Sequence, residues 1–223
     1  MAVIKLKNLL REIQLKEGPV AADLPPVKFV MPPADHAYGK AASDAAGKPY
    51  TQPNIDFRDI SSGDSDSQLV SKAANVIKAF ENSKNNPKGG YNKQLKKWFP
   101  HKSLEGGSPT IAYGHKMQPG EDYSRGLTDG EAERLLEKDI RSKIRLAQSK
   151  MKNFDGMPLT VKIAIINSLF RGDMGPKTMQ LLSQNKFAQA AREYINHREY
   201  RTTGNTGVKK RMDWNFNVIR AAG

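Results

Sequence analysis

The sequence has no cysteine, so a disulfide framework is not available to it. It has only two tryptophans, and this scarcity argues against an aromatic stacking platform for nucleic acid. No apolar run approaches the roughly 18–20 residues that span a bilayer. The N-terminal MAVIKLKNLLREIQLKEG lacks the long apolar stretch and small-residue cleavage site of a usual signal peptide. We therefore expect no disulfide, no transmembrane segment and no cleavable signal peptide.

Positive charge is abundant and unevenly distributed. The 223 residues include 36 Lys and Arg and 23 Asp and Glu, a net charge of +13. Residues 1–65 hold eight of each sign, so the whole excess falls on residues 66–223. A basic domain favours an anionic partner such as nucleic acid, a membrane surface or an acidic cell-wall polymer. A solvated basic surface without a specific partner would give the same composition.

Composition divides the chain into three parts. Residues 1–17 place apolar side chains at helical spacing before Gly18-Pro19, which predicts a short amphipathic helix suited to docking on another protein. Residues 18–65 hold seven of the 13 prolines and no sustained periodicity, which predicts an extended linker or tail. Residues 66–223 are long enough to bury a core and are predicted to form the folded domain.

Periodicity, capping residues and Gly or Pro breakers predict a mostly helical domain. One predicted helix, Val161 to Phe170, is apolar on nearly every side, as expected of a central buried helix. A second predicted helix begins at the Thr128 capping box and has Ala132, Leu135, Leu136 and Ile140 on one face. The remaining predicted helices are Gln68–Asn82, Thr178–Gln184, Phe187–Asn196 and Val208–Arg220. Gly204–Gly207 is predicted to be a loop.

The most informative stretch runs from Ile77 to His115. Glu81 ends an apolar helical run, and short strands and turns are predicted from Tyr91 onward, with the glycine pairs 89–90 and 106–107 suited to tight turns. The stretch closes on the β-like segment PTIAYGH. A helix that ends in an acid and is followed by a folded-back hairpin can place a carboxylic acid opposite a hydroxyl group.

These residues resemble the phage-type lysozymes, the muramidase and endolysin family of the T-even phages. In that family a Glu ends the first helix of the catalytic domain, and a T-I-G-[IY]-G-H segment follows. Glu81 matches the family's acid, and TIAYGH matches its TIGYGH. The resemblance continues through LTDGEAERLLEKDI, AIINSLFRGDMG and GVKKRMDWN to the end of the chain. It implies an α+β, mostly α, lysozyme-like fold over residues 66–223, with a small β-hairpin subdomain and a helical lobe.

The resemblance also implies roles for individual residues. Glu81 would protonate the leaving oxygen, and an apolar surround would favour its protonated form. Thr110 would help to hold the attacking water, and His115 would support the site. Arg211 would orient an acid, or else be a surface charge. We interpret Asn167 as a buried residue bonded to backbone, Tyr113 and Tyr200 as candidates for sugar stacking, and Trp214 as core packing.

One departure from the family pattern concerns the second carboxylate. The family has an Asp six residues before the Thr, where this sequence has Leu104. Three interpretations follow. Glu105 takes over the activation of water, or a polar residue such as Ser103 or His101 does, or the domain has lost activity and kept only binding.

The resemblance thus implies hydrolysis of the β-1,4 bond between N-acetylmuramic acid and N-acetylglucosamine in peptidoglycan, by a phage endolysin or virion-associated lysozyme. The alternative is a catalytically weak or inactive structural or binding protein of a virion. No cofactor is implied, the four histidines show no metal-ligand spacing, and no specific nucleic acid is expected. Residues 1–65 would attach to a virion protein. The expected location is the virion, or the host cytoplasm followed by the cell wall and periplasm.

Overall fold

A computed structural model describes residues 66–81, 84, 89–103 and 108–223, all within one compact unit. The helix predicted over residues 1–17 and the linker predicted over residues 18–65 lie outside the described residues, as do residues 104–107. The described part is mostly helical and carries a two-stranded and a three-stranded antiparallel sheet. The predicted class, α+β with a predominance of helix, is confirmed at this level.

The first helix, α1 (Asp66–Glu81), ends on the residue that the sequence singled out. Its buried residues recur at helical spacing and form one apolar face: Leu69, Val70, Ala73, Ala74, Val76 and Ile77. Each fully buried Val, Leu or Ile contributes about 1.5–3 kcal/mol. Burial of this face therefore fixes the direction in which the end of the helix presents Glu81.

Five short strands follow α1 and form the β region. They are β1 (Tyr91–Asn92), β2 (Lys97–Trp98), β3 (His101–Lys102), β4 (Pro109–Ile111) and β5 (His115–Lys116). β1 pairs with β2, and β4 pairs with both β3 and β5. The backbone of Trp98 exchanges two hydrogen bonds of 2.8 Å with that of Leu127, so the β region is joined to the approach to the next helix.

Helix α2 (Asp129–Lys150) begins at the capping box that the sequence predicts. The Thr128 side chain accepts from the Glu131 backbone N–H, and the Glu131 carboxylate accepts from the Thr128 backbone N–H at 2.7 Å. The four side chains predicted to share one face, Ala132, Leu135, Leu136 and Ile140, are all buried. Prediction and structure agree here because both the cap and the apolar face are local patterns.

Helix α3 (Leu159–Arg171) is the central helix. It packs against α1, α2 and the last helix of the chain, and most of its residues are buried. Gly172 ends it in the left-handed conformation, with φ of 90°. The prediction of a buried core helix is confirmed.

Four shorter segments complete the helical part: α4 (Pro176–Ser183), α5 (Phe187–Ile195), α6 (Arg198–Thr202) and α7 (Thr206–Arg220). α6 was not predicted, and the predicted loop Gly204–Gly207 is wrong at its end because α7 begins at Thr206. The Asn205 side chain accepts from the backbone N–H groups of Gly207 and Val208 and caps α7. The two glycines around this cap suggested a longer loop.

Among the described helices, none combines the length and apolar character that crossing a membrane requires.

Lys96 provides a test of the β1–β2 turn. Its φ of 51° is a left-handed conformation, which costs an L-residue about 1–2 kcal/mol. Glycine removes that cost but loses about 0.5–1 kcal/mol in chain entropy. Because Lys96 is exposed, little packing is lost. We expect Lys96→Gly to raise the free energy of unfolding by about 0.5–1 kcal/mol in denaturant titrations.

Lys93 supplies the matched control, since it is exposed in the same turn but does not adopt a positive φ. Lys93→Gly should lower the free energy of unfolding by about 0.5–1 kcal/mol. Equal destabilisation by both variants would contradict the left-handed conformation at Lys96.

Candidate active site

Glu81 is held by a charged hydrogen bond at the end of α1. Its Oε1 accepts from Arg211 Nη1 at 2.6 Å. The Glu81 side chain is 24% exposed and the Arg211 side chain 7% exposed. The carboxylate therefore does not extend into bulk solvent, and solvent still reaches part of it.

The turn between β4 and β5 closes against the same carboxylate. Gly114 lies in that turn with φ of +87°, and a Cβ atom built on it would be 3.2 Å from Glu81 Oε2. Any larger residue would thus meet both backbone strain and the acid. The glycine of the TIAYGH segment thus has a physical reason, because it lets the hairpin approach Glu81.

Ala112 stands where the family pattern has a glycine, and it adopts φ of 54°. This conformation is unfavourable for an L-residue. The turn nevertheless keeps its left-handed geometry, because Ala112 is buried and its neighbours Ile111 and His115 pair across the hairpin.

Arg211 is positioned by the central helix. Its Nε donates to Asn167 Oδ1 at 2.9 Å and its Nη2 to the Asn167 backbone oxygen at 3.3 Å. Its guanidinium carbon lies 5.8 Å and 6.0 Å from the ring centroids of Phe80 and Phe170. Arg211 is buried, so its interpretation as a surface charge is wrong and the predicted pairing with an acid is present. Asn167 is buried as expected, but its side chain bonds other side chains rather than backbone.

A chain of buried polar groups continues from Asn167. Asn167 Nδ2 donates to Asn215 Oδ1, and Asn215 Nδ2 donates to the Tyr194 hydroxyl, both at 2.9 Å. The Tyr194 hydroxyl donates to Asp173 Oδ1 at 2.9 Å, and Arg171 donates to the other oxygen at 3.0 Å. Burial raises the pKa of Asp173, while Arg171 opposes that shift. The sequence assigned no individual role to Arg171, Asp173 or Asn215.

Thr110 occupies the centre of the three-stranded sheet. It is the register partner of His101 on one side and of Lys116 on the other. Its Oγ1 lies 3.3 Å from His101 Nε2 and donates to the His101 backbone oxygen at 3.3 Å. The structure thus joins two of the residues that the sequence considered for handling water.

Ser103 lies at the foot of the β3–β4 connection, where its backbone N–H donates to the Ser108 backbone oxygen at 3.2 Å. The connection contains Leu104 and Glu105, which lie outside the described residues. The roles considered for Glu105 and Ser103 therefore stay predictions.

Tyr113 is a buried packing residue. It is 8% exposed, and its ring centroid lies 4.9 Å from that of Trp98. Burial raises the pKa of its hydroxyl. Little of the ring is left for a sugar, so we assign Tyr113 a supporting role rather than stacking.

Two other aromatic residues considered from sequence lie on or near α7. Trp214 is half-buried and meets Phe80 edge to face, with ring centroids 5.9 Å apart, which agrees with the packing interpretation. The half-buried Tyr200 donates to Asp213 Oδ1 at 2.6 Å. Burial and this bond raise the pKa of Tyr200 to about 12. The Tyr200 hydroxyl group thus already donates a hydrogen bond within the helical part.

His115 ties the β region to α2. Its Nδ1 lies 2.8 Å from Asp139 Oδ2 and its Nε2 lies 2.8 Å from Glu121 Oε2. Because carboxylates accept at both ring nitrogens, the geometry suits the doubly protonated imidazolium. The hydrogen bond to Asp139, followed by that to Glu121, raises the pKa of His115 despite burial. His115 thus anchors strand β5 to helix α2, and the supporting role in the site that the resemblance implies for it stays a prediction.

Within the described residues, no group of three or more His, Asp and Glu side chains is arranged to hold a metal ion.

Comparison with protein-family models and with curated proteins gave no match.

The His115 ion pairs predict a pH dependence of stability. A pKa raised by folding means that the stabilisation is complete below the unfolded pKa of about 6.5 and is lost as the pH rises through the folded pKa. We expect the stability advantage of wild type over His115→Gln to shrink as the pH increases from about 6. Paired denaturant titrations across that range measure the difference, and a difference independent of pH would contradict the charged imidazolium.

The Glu81–Arg211 pair predicts a large effect on stability. Arg211→Met leaves Glu81 and Asn167 without their donor, and removal of one partner of a buried pair costs about 3–5 kcal/mol. Because Glu81 is partly exposed, we expect a loss of about 2–4 kcal/mol in the free energy of unfolding. Lys209→Met, at an exposed position of the same helix, should change it by no more than about 0.5 kcal/mol. Similar losses for both variants would be incompatible with the buried pair.

Proposed function

We propose that this protein is an N-acetylmuramidase, a peptidoglycan hydrolase that cleaves the β-1,4 bond between N-acetylmuramic acid and N-acetylglucosamine. The observation that carries the proposal is the setting of Glu81. It ends a helix, is partly sheltered, is paired with buried Arg211, and faces the turn of a hairpin whose sequence, TIAYGH, resembles that of the phage-type lysozymes. The proposed fold is accordingly lysozyme-like.

In the proposed reaction Glu81 is the general acid. Arg211 donates to Oε1, and Oε2 lies beside Gly114 in the turn of the hairpin. Cleavage of the glycosidic bond leaves an electron pair on the leaving oxygen, which takes that proton. The polar chain behind Arg211 holds the guanidinium in place and thereby fixes the orientation of the carboxyl group.

Thr110 is proposed to bind the attacking water. Its hydroxyl lies on the strand that leads into the turn beside Glu81, so one hairpin connects the two groups. Attack on the face of the sugar opposite the leaving oxygen inverts the configuration of the anomeric carbon. This route requires room for a water between the acid and the base.

The charge distribution supports an anionic polymer as substrate. The whole excess of +13 falls on residues 66–223, and long-range attraction would concentrate the protein on the cell wall. Added salt would screen this attraction. We also propose that residues 1–65 attach the protein to a virion protein. The hydrolysis would then take place either from within the host or from the virus particle.

A second candidate function rests on one observation, the Leu at position 104 where the family has its second carboxylate. A domain without a base would bind glycan strands without cleaving them and would act as a structural protein of a virion.

Clearing of purified peptidoglycan suspensions tests the proposal. Wild type should clear the suspension, and Glu81→Gln should do so at least about 100-fold more slowly, because the amide cannot donate the required proton. Glu137→Gln, which changes an exposed carboxylate on α2, should clear like wild type.

Clearing by Glu81→Gln at the wild-type rate would reject the role of Glu81. Sedimentation with peptidoglycan in the absence of clearing would favour the binding function. Affinity for DNA that falls steeply with salt, in a protein that neither clears nor sediments, would assign the basic surface to nucleic acid instead.

A further inference from the structure

We infer that His101 is the general base that activates the attacking water. It takes the place of the family's second carboxylate. The inference rests on the proposed muramidase function and adds the catalytic group that this function lacks.

His101 and Thr110 form a cross-strand pair in the register of β3 and β4. Thr110 Oγ1 lies 3.3 Å from the His101 backbone oxygen and 3.3 Å from His101 Nε2, so its hydroxyl proton can be donated to either acceptor. When it goes to the backbone oxygen, Oγ1 and Nε2 are both left to accept hydrogen bonds from a bound water. The two side chains therefore present neighbouring polar atoms on one face of the sheet.

The other ring nitrogen identifies the tautomer. His101 Nδ1 lies 3.4 Å from the Phe99 backbone oxygen, and a carbonyl oxygen can only accept. This contact favours the tautomer with its proton on Nδ1, which leaves a lone pair on Nε2. A water that donates one hydrogen to Nε2 and the other to Thr110 Oγ1 keeps an oxygen lone pair directed away from the sheet, where an anomeric carbon would sit.

Gly90 fixes the position of the imidazole ring. A Cβ atom on Gly90 would lie 2.4 Å from His101 Nδ1 and 2.4 Å from the Phe99 backbone oxygen. Gly90 has φ of +74° and accepts from the Phe99 backbone N–H at 2.8 Å. Any side chain at position 90 would overlap the imidazole ring. The backbone of Gly90 therefore packs directly against the ring and limits its motion.

The pair lies on the more accessible side of the sheet, on strands that lead to the turn beside Glu81. Ile111, the next residue of β4, is fully buried, so Thr110 points to the opposite face. His101 and Thr110 are both half-buried, which leaves them within reach of water. Three residues beyond Ile111, Gly114 lies against the Glu81 carboxylate, so the strand that carries Thr110 leads to the turn beside the acid.

Chemistry also favours His101 over Ser103, the other polar candidate. A serine hydroxyl needs a base of its own before it can accept the proton of a water, whereas a neutral imidazole accepts it directly.

A lone pair of the water oxygen forms the new bond to the anomeric carbon, and one water proton passes to His101 Nε2. The glycosidic C–O bond breaks with its electron pair on the leaving oxygen, which takes the proton from Glu81. His101 ends as imidazolium and Glu81 as carboxylate, and exchange with solvent returns both to their starting forms.

The test compares His101→Ala, His101→Gln and Glu105→Ala in peptidoglycan clearing, with and without sodium azide. Azide is an anionic nucleophile that needs no base, so it replaces the water when the base is missing. Both His101 variants should lose about 100- to 10,000-fold in rate. Azide should restore cleavage in His101→Ala and yield a glycosyl azide of inverted configuration, detected by mass spectrometry and NMR. Glu105→Ala should keep more than about a third of the wild-type rate.

Thermal unfolding of each variant shows whether it is folded. If His101→Ala does not fold, His101→Gln, whose side chain can still form a hydrogen bond with Thr110, takes its place in the rate comparison. Wild-type rates in folded His101→Gln would overturn the inference, as would loss of activity with azide rescue in Glu105→Ala. Loss in folded His101→Ala without glycosyl azide would also overturn it. A wild-type protein that cleaves no peptidoglycan would instead reject the proposed function, and this inference with it.

Discussion

The ion pair between Glu81 and Arg211 is the interaction on which the arrangement of the helices depends. The two residues are 130 positions apart, one at the end of α1 and the other in α7, and both helices pack on α3. A buried guanidinium is costly unless its donors are satisfied. Here Glu81 and both oxygens of Asn167 accept from it, so α1, α3 and α7 must keep their present positions for the charge to be accommodated.

Two kinds of support therefore converge on the carboxylate of Glu81. Behind it, the side chains of Arg211, Asn167, Asn215, Tyr194, Asp173 and Arg171 form a continuous polar chain, which leads on to Glu199 through a close Arg171–Glu199 ion pair. In front of it, the β region is anchored by packing between Trp98 and Tyr113 and by the ion pairs of His115. The helical side orients the acid, while the β side brings Gly114 to it and holds Thr110 beside His101 on the neighbouring strands.

Much of the helical part could be predicted from sequence because its signals are local. The cap at Thr128 and the apolar face of α2 lie within a few turns of one another, and the uniform apolarity of α3 already indicates burial. The β region was harder, since its strands are two or three residues long and their register depends on partners in other segments. α6 was missed because five residues, none of them buried, leave no periodicity to detect.

The sequence alone determined which residue types were at hand: an acid at the end of an apolar helix, a threonine and glycines in a hairpin, and an arginine near the chain's end. Only the tertiary structure decided which of them meet. In the folded protein Arg211 pairs with Glu81, and His101 lies beside Thr110. Tyr113, which the sequence offered as a candidate for sugar stacking, is buried in the core. The physical reason is that helical periods and caps act over a few residues, whereas hydrogen bonds between distant segments exist only after the core has brought those segments together.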